Sequence, residues 1–183
     1  MVELMVVIAI IAILTTIAAP SFKSMLQSSS MTSAVNTFLA DMRYARSESI
    51  RRGGGVVMCR SDNPDAAVPT CGTGSSVGWE SGWIVFHNLN SGSTRTSNEP
   101  LLRVQAPLTS INTIAETGAA TIFKFTATGR LSLSSATSIQ FGSNPPFDTA
   151  AQRVVCVGLG GRARIAIDSA GQANGNASCG ADQ

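Results

Sequence analysis

A chain of 183 residues, 44% hydrophobic and 13% charged, has enough apolar material for one globular domain with a real core plus an N-terminal helix. Its net charge of +2 is too small to imply a nucleic-acid partner by itself. Of thirteen basic residues only Lys23 and Lys124 are lysine, leaving eleven arginines. Arginine is the better fork for phosphate, but the bias reads as mostly codon-driven.

The chain opens on an apolar run, Leu4 to Ala19, headed by one acid, Glu3. A carboxylate at mid-bilayer costs about 2.5–3.5 kcal/mol on insertion scales, so such a residue calls for a partner. A cleaved secretory signal would need a basic start, and no Lys or Arg precedes Lys23. An ordinary membrane anchor would be a little short against the usual length of about 20 residues. The third reading follows from the residues Val2-Glu3-Leu4-Met5-Val6-Val7-Ile8-Ala9-Ile10-Ile11-Ala12-Ile13-Leu14 with Ala18-Ala19-Pro20, which closely resemble the start of type IV pilin-like subunits. The resemblance implies that Glu3 pairs with the N-terminal amine of a neighbouring subunit as it leaves the inner membrane for a filament. Cleavage by a prepilin peptidase and N-methylation are implied by the resemblance alone, since only Met1 precedes Val2.

The helical pattern does not stop at Pro20, where a kink is expected. Residues 21–52 contain no Gly or Pro, and Met31, Val35, Phe38, Leu39, Met42, Ala45 and Ser49 recur at three- and four-residue steps as one apolar stripe. Ser29, Ser30 and Thr32 are mediocre helix formers and suggest a local loosening. Gly53-Gly54-Gly55 stops the helix. A helix over 1–52 would be roughly 78 Å long at 1.5 Å per residue. Arg43, Arg46, Arg51 and Arg52, with Asp41 and Glu48, read as a solvated face beside the stripe. On that resemblance, residues 1–27 are expected to form a hydrophobic helix serving as membrane anchor and filament core. Residues 28–183 form a globular domain, with an amphipathic helix over 28–52 and β structure over 56–183.

Strand-length runs follow at 56–60, 82–87, 101–104, 121–126, 138–141, 153–157 and 164–168. Gly, Pro, Asn and Ser clusters separate them, and 61–78 and 88–98 read as loops. Trp79 and Trp83 read as core or edge cover, and His87 as a surface residue. The tail 169–183 would be loose unless Cys179 ties it down. Cys59, Cys71, Cys156 and Cys179 make an even set in an exported chain, which favours disulfides over metal. Three pairings are open. Neighbour pairing, Cys59–Cys71 and Cys156–Cys179, would close two local loops, each contributing about 3 kcal/mol in a chain-entropy account. The spacings lack the close Cys pairs of structural zinc sites.

Arg46-Ser-Glu-Ser-Ile-Arg-Arg52, Val57-Met-Cys-Arg-Ser61, Gly78-Trp-Glu-Ser-Gly-Trp-Ile-Val-Phe86, Ile122-Phe-Lys-Phe125 and Thr128-Gly-Arg130 resemble the FimT/GspH family of minor pilins and pseudopilins. With the N-terminal motif the resemblance spans essentially the whole chain. It implies an α+β, type IV pilin-like fold: a long N-terminal helix packed against a C-terminal antiparallel domain of two small sheets. Residues 31–49 would be the docking face.

One internal stretch carries a candidate site, Gly160-Gly161-Arg162-Ala163-Arg164-Ile165-Ala166-Ile167. A glycine turn after the strand 153–157 leads into two-residue periodicity. Ala163, Ile165 and Ile167 then point inward, and Arg162, Arg164 and Ala166 outward. Two outward forks on a low-bulk turn can reach phosphates. Gly161-Arg162-Ala163-Arg164 matches the GRxR motif of FimT-type minor pilins, which implies binding of double-stranded DNA in natural transformation. The alternative is a solvated pair bridged to Asp168. Arg153, Lys124 and Arg130 are candidates to extend the basic surface. The sparse aromatic content argues against a base-stacking platform, so binding would be phosphate-led and salt-sensitive. No catalytic constellation, cofactor motif or metal set is legible, so an enzyme is not expected. The resemblance places the chain in the inner membrane with its domain in the periplasm, then in the pilus at the cell surface among other pilins. A GspH-like pseudopilin of a type II secretion system, with a purely structural role, is the alternative.

Overall fold

In a computed structural model, residues 2–74, 77–118 and 120–180 are described, apart from the side chains of 17–21. Helix α1 runs Val2–Arg52 as one element of 51 residues. It passes 28–32 without interruption, with the Ser30 and Thr32 hydroxyls turned back onto the carbonyls of Gln27 and Ser28. The expected kink at Pro20 falls on side chains outside the described ones. Residues 2–16 and 22–26 are exposed. Among the described residues no helix is long and apolar enough to cross a membrane. The run Leu4–Ala19 continues into the side chains that are not described.

The helix ends as a glycine stop should. Gly53 adopts φ +78°, its amide reaches Ile50 O at 3.5 Å, and the Gly54 amide reaches Ser49 O at 2.8 Å. These are the paired bonds of a Schellman cap, satisfying carbonyls the helix leaves open.

The β domain has two four-stranded antiparallel sheets. The first takes β1 (Val56–Arg60), β2 (Trp83–His87), β3 (Leu101–Gln105) and β5 (Ile122–Phe125) in the order β3-β2-β1-β5. The second takes β4 (Ile114–Glu116), β6 (Thr137–Phe141), β7 (Arg153–Val157) and β8 (Ala163–Ile165) in the order β4-β6-β7-β8. Strand β4 was not expected from sequence; three residues are too few to show a period, and its partner β6 defines it. The β8 run is also shorter than expected, because the chain turns at Asp168 rather than continuing the ladder.

The stripe on α1 docks between the sheets. Met31, Val35, Phe38, Leu39, Met42, Ala45 and Ser49 are all buried. Phe38 meets Trp79, Trp83 and Phe141 edge-on at centroid distances of 5.6, 5.4 and 5.6 Å. One aromatic side chain thereby joins both sheets. Trp79 and Trp83 belong to this core, and each indole has a partner: Ala120 O for Trp79 and Asp41 Oδ2 for Trp83.

The solvated face expected on α1 is corrected at four positions. Asp41 and Glu48 are buried, and Arg46 and Arg52 are half-buried. Asp41 accepts from Trp83 Nε1 at 2.8 Å and Arg103 Nη1 at 2.6 Å, and the Arg103 guanidinium sits 4.2 Å over the Tyr44 ring. Disulfides join Cys59 to Cys71 and Cys156 to Cys179.

Candidate nucleic-acid interface

The arginine-bearing turn is built on a glycine, Gly161, that no other residue can replace without movement. Between β7 and β8, the Gly158 amide donates to Arg162 O and the Gly161 amide to Gly158 O, both at 2.9 Å. Gly161 takes φ +72°, and a Cβ there would stand 2.1 Å from the Gly129 carbonyl oxygen. Gly129 itself lies at φ +73° in the tight turn after β5, closed by Gly129 N to Thr126 O at 2.8 Å. Its carbonyl accepts from Arg46 Nε at 3.1 Å. Leu131 N to Leu159 O at 2.9 Å stitches the two turns together. The tip is therefore fixed directly on the C-terminal end of α1.

From this base, β8 pairs with β7 as Val157–Ala163, Cys156–Arg164 and Val155–Ile165. Ala163 and Ile165 pack on the main core, so Arg162 and Arg164 take the opposite face and are exposed. Their α-carbons are about 6.6 Å apart, two residues of extended rise. Among the described residues neither arginine's side chain has a hydrogen bond or ion pair. The bridge from Arg164 to Asp168 is not made. Asp168 is occupied by the amides of Ala170 and Gln172 and by Asn174 Nδ2 at 2.9, 2.8 and 2.6 Å. Those bonds, the Gln172 amide first, hold its carboxyl below the usual range.

Beyond Ile165 the expected faces change. Ala166 is fully buried and Ile167 is 57% exposed. The alternation itself persists, but the outer face is covered there by the C-terminal tail, with Val154, Cys156, Ala166 and Ala177 forming a small cluster apart from the main core.

The other basic candidates separate. Arg130 follows Gly129 at the same corner and is exposed. Arg153 stands at the far end of β7, its Nη1 spent on Ala150 O and Gln152 O at 2.7 Å each. Lys124 lies in the other sheet and donates to Gly92 O at 3.0 Å. Neither joins the arginine pair. At the helix end, Glu48 accepts from Arg51 Nε at 2.9 Å, from Arg51 Nη2, and from Arg52 Nε at 2.7 Å. The Arg51 bonds, then those of Arg52, lower its pKa from 4.5 to about 2. Arg51 and Arg52 are thus partly neutralised, unlike Arg162 and Arg164. Glu3 is exposed on the first turn of α1, with no ion-pair partner among the described residues.

Sequence reasoning read Arg46 as part of a solvated face and missed that it props the tip through Gly129. No group of three or more His, Cys, Asp or Glu side chains that could hold a metal occurs among the described residues.

The family described as type II transport protein GspH matches residues 34–161, more than half of the chain. The chain belongs to the GspH family. Two crystal structures of the type IV minor pilin FimU of Pseudomonas aeruginosa share the fold, with TM-scores of 0.55 and 0.54 at 23% identity. They cover 74% and 73% of this chain and 87% and 90% of the FimU chains. No curated protein sequence gives a significant match. The long helix against two small antiparallel sheets is the type IV pilin-like architecture of FimU. In this GspH-family chain the matched segment closes on Gly161, so Arg162 and Arg164 lie just past its end.

Proposed function

We propose that this chain is a minor pilin of a type IV pilus that binds extracellular double-stranded DNA and promotes its uptake in natural transformation. The observation that carries this reading is the exposed, unpartnered pair Arg162 and Arg164 on a glycine turn locked to the helix end. Guanidiniums with no protein partner lose no internal pairing when they take phosphate oxygens, and a fixed base reduces the ordering entropy lost on binding. Contacts of this kind read the backbone, so binding is non-specific and weak per subunit. Arg130 at the same corner adds a third positive charge.

In this reading residues 1–27 anchor the subunit in the inner membrane and later line the filament among other pilins. Glu3 pairs with a neighbour's terminal amine during that transfer, offsetting the burial of both charges. The exposed apolar helix over 2–16 and 22–26 supports an assembly role, since it finds no cover within its own chain.

The deciding measurement is duplex binding by the full chain in neutral detergent, comparing wild type with Arg162→Ala/Arg164→Ala. Affinity is expected to fall, and the log–log salt slope to shrink by about 1.8, two phosphate contacts' worth. Unchanged affinity sinks the reading. The second reading, a structural GspH-like pseudopilin of a type II secretion system, draws on the family's own description. It expects the arginine pair to be silent in DNA binding.

A further inference from the structure

The face of β8 that carries Arg164 is not bordered by solvent alone. Cys156 and Arg164 are directly opposed in the ladder, so their side chains share one face with Cβ atoms about 5 Å apart. Cys156 is the residue to which the tail is bonded through Cys179. The same face continues to Ala166, whose amide reaches Val154 O at 2.8 Å, and then to Asp168. The tail covers Val154, Cys156 and Ala166 with Ala177 and the disulfide. It also holds both oxygens of Asp168 through the Ala170 and Gln172 amides and Asn174 Nδ2. A further bond, Gly175 N to Thr149 O at 2.8 Å, fastens its middle.

Without this strap two things would happen to Arg164. Its aliphatic stem would find an uncovered apolar floor of Val154, Cys156 and Ala166 to lie on, since long cationic side chains readily do so. Its guanidinium would find the Asp168 carboxylate, released on the same row and an acceptor for it. Either outcome removes the free fork.

We propose that the disulfide-tethered tail, residues 169–180, is a positioning element for Arg164. It occupies the one carboxylate on that arginine's row and covers the floor beside it, so the guanidinium stays available to a phosphate. This inference rests on the DNA-binding reading of the same site.

The test uses the full chain in neutral detergent and a labelled duplex of mixed sequence. Cys156→Ser/Cys179→Ser is expected to weaken binding about eightfold at 0.1 M salt, one phosphate contact's worth, and to lower the salt slope by about 0.9. Cys59→Ser/Cys71→Ser, in the other sheet, is expected to bind as wild type. In an Arg164→Ala background the Cys156/Cys179 change adds no further loss. Adding Asp168→Asn to the Cys156/Cys179 variant restores part of the affinity. Should that cysteine variant fail to fold, Asn174→Ala decides. It keeps both disulfides and is expected to give a partial loss that Asp168→Asn removes. Wild-type affinity in the tail variants, or an equal loss with Arg164 absent, overturns the proposal. If Arg162→Ala/Arg164→Ala is itself silent, the DNA reading and this inference fall together. If the arginine pair matters and the tail variants do not, only this inference falls.

Discussion

Gly161 is the residue on which the arginine tip depends most directly. Its φ of +72° and the Gly129 carbonyl 2.1 Å from a would-be Cβ leave no room for a side chain. Gly161→Ala is expected to destabilise the fold by about 1–3 kcal/mol, read as a lower urea midpoint. It should also displace the tip, so on the proposed DNA-binding function the affinity for duplex falls although both arginines remain. Wild-type stability would show that the tip floats free of Gly129. The arginine pair was legible in the sequence because alternation alone sets Arg162 and Arg164 on one face. Asp41 and Glu48 were misread as solvated for opposite reasons. Asp41 is buried by partners 42 and 62 residues away, which no local pattern reveals. Glu48 is paired within its own turn, where charge spacing hinted at contact but not at burial.

At the scale of elements, the C-terminal turn of α1 combines the Schellman glycines with the Glu48 cluster. Glu48 has a folded pKa of about 2 against an ordinary 4.5. Its stabilising contribution is therefore fully present above about pH 4.5 and is lost as pH falls through about 2. The difference in thermal midpoint between wild type and Glu48→Gln should be constant from pH 7 to 5 and close towards pH 2. A gap that stays constant to pH 2 would contradict the assigned pairing. Most elements were readable. The stripe on α1 repeats over many turns, and β1, β2 and β7 are dense in β-branched and aromatic residues. Strand β4 and the end of β8 were not, because a partner strand defines one and the Asp168 turn defines the other. Arg153 and Lys124 show the same limit, since sheet membership and strand end decide whether a cation reaches a site.

Across the whole molecule, the two sheets share one core through α1, and Phe38 touches aromatic residues of both. Phe38→Ala is expected to cost about 3–5 kcal/mol. For a chain of this size the midpoint should drop by roughly 10 °C. Calorimetry should still show a single transition for the two sheets, because neither has a separate main core. Two resolved transitions would mean that the sheets unfold as separate units. The attachment of the tip has a mechanical consequence. The turn carrying Arg162 rests on Gly129 and Arg46, beside the last turns of a helix about 76 Å long. A load applied at the tip enters the rod near its distal end and runs along it towards Val2. The turn belongs to the second sheet, so β7 and β8 share that load with the Gly129–Arg46 contact before it reaches the helix.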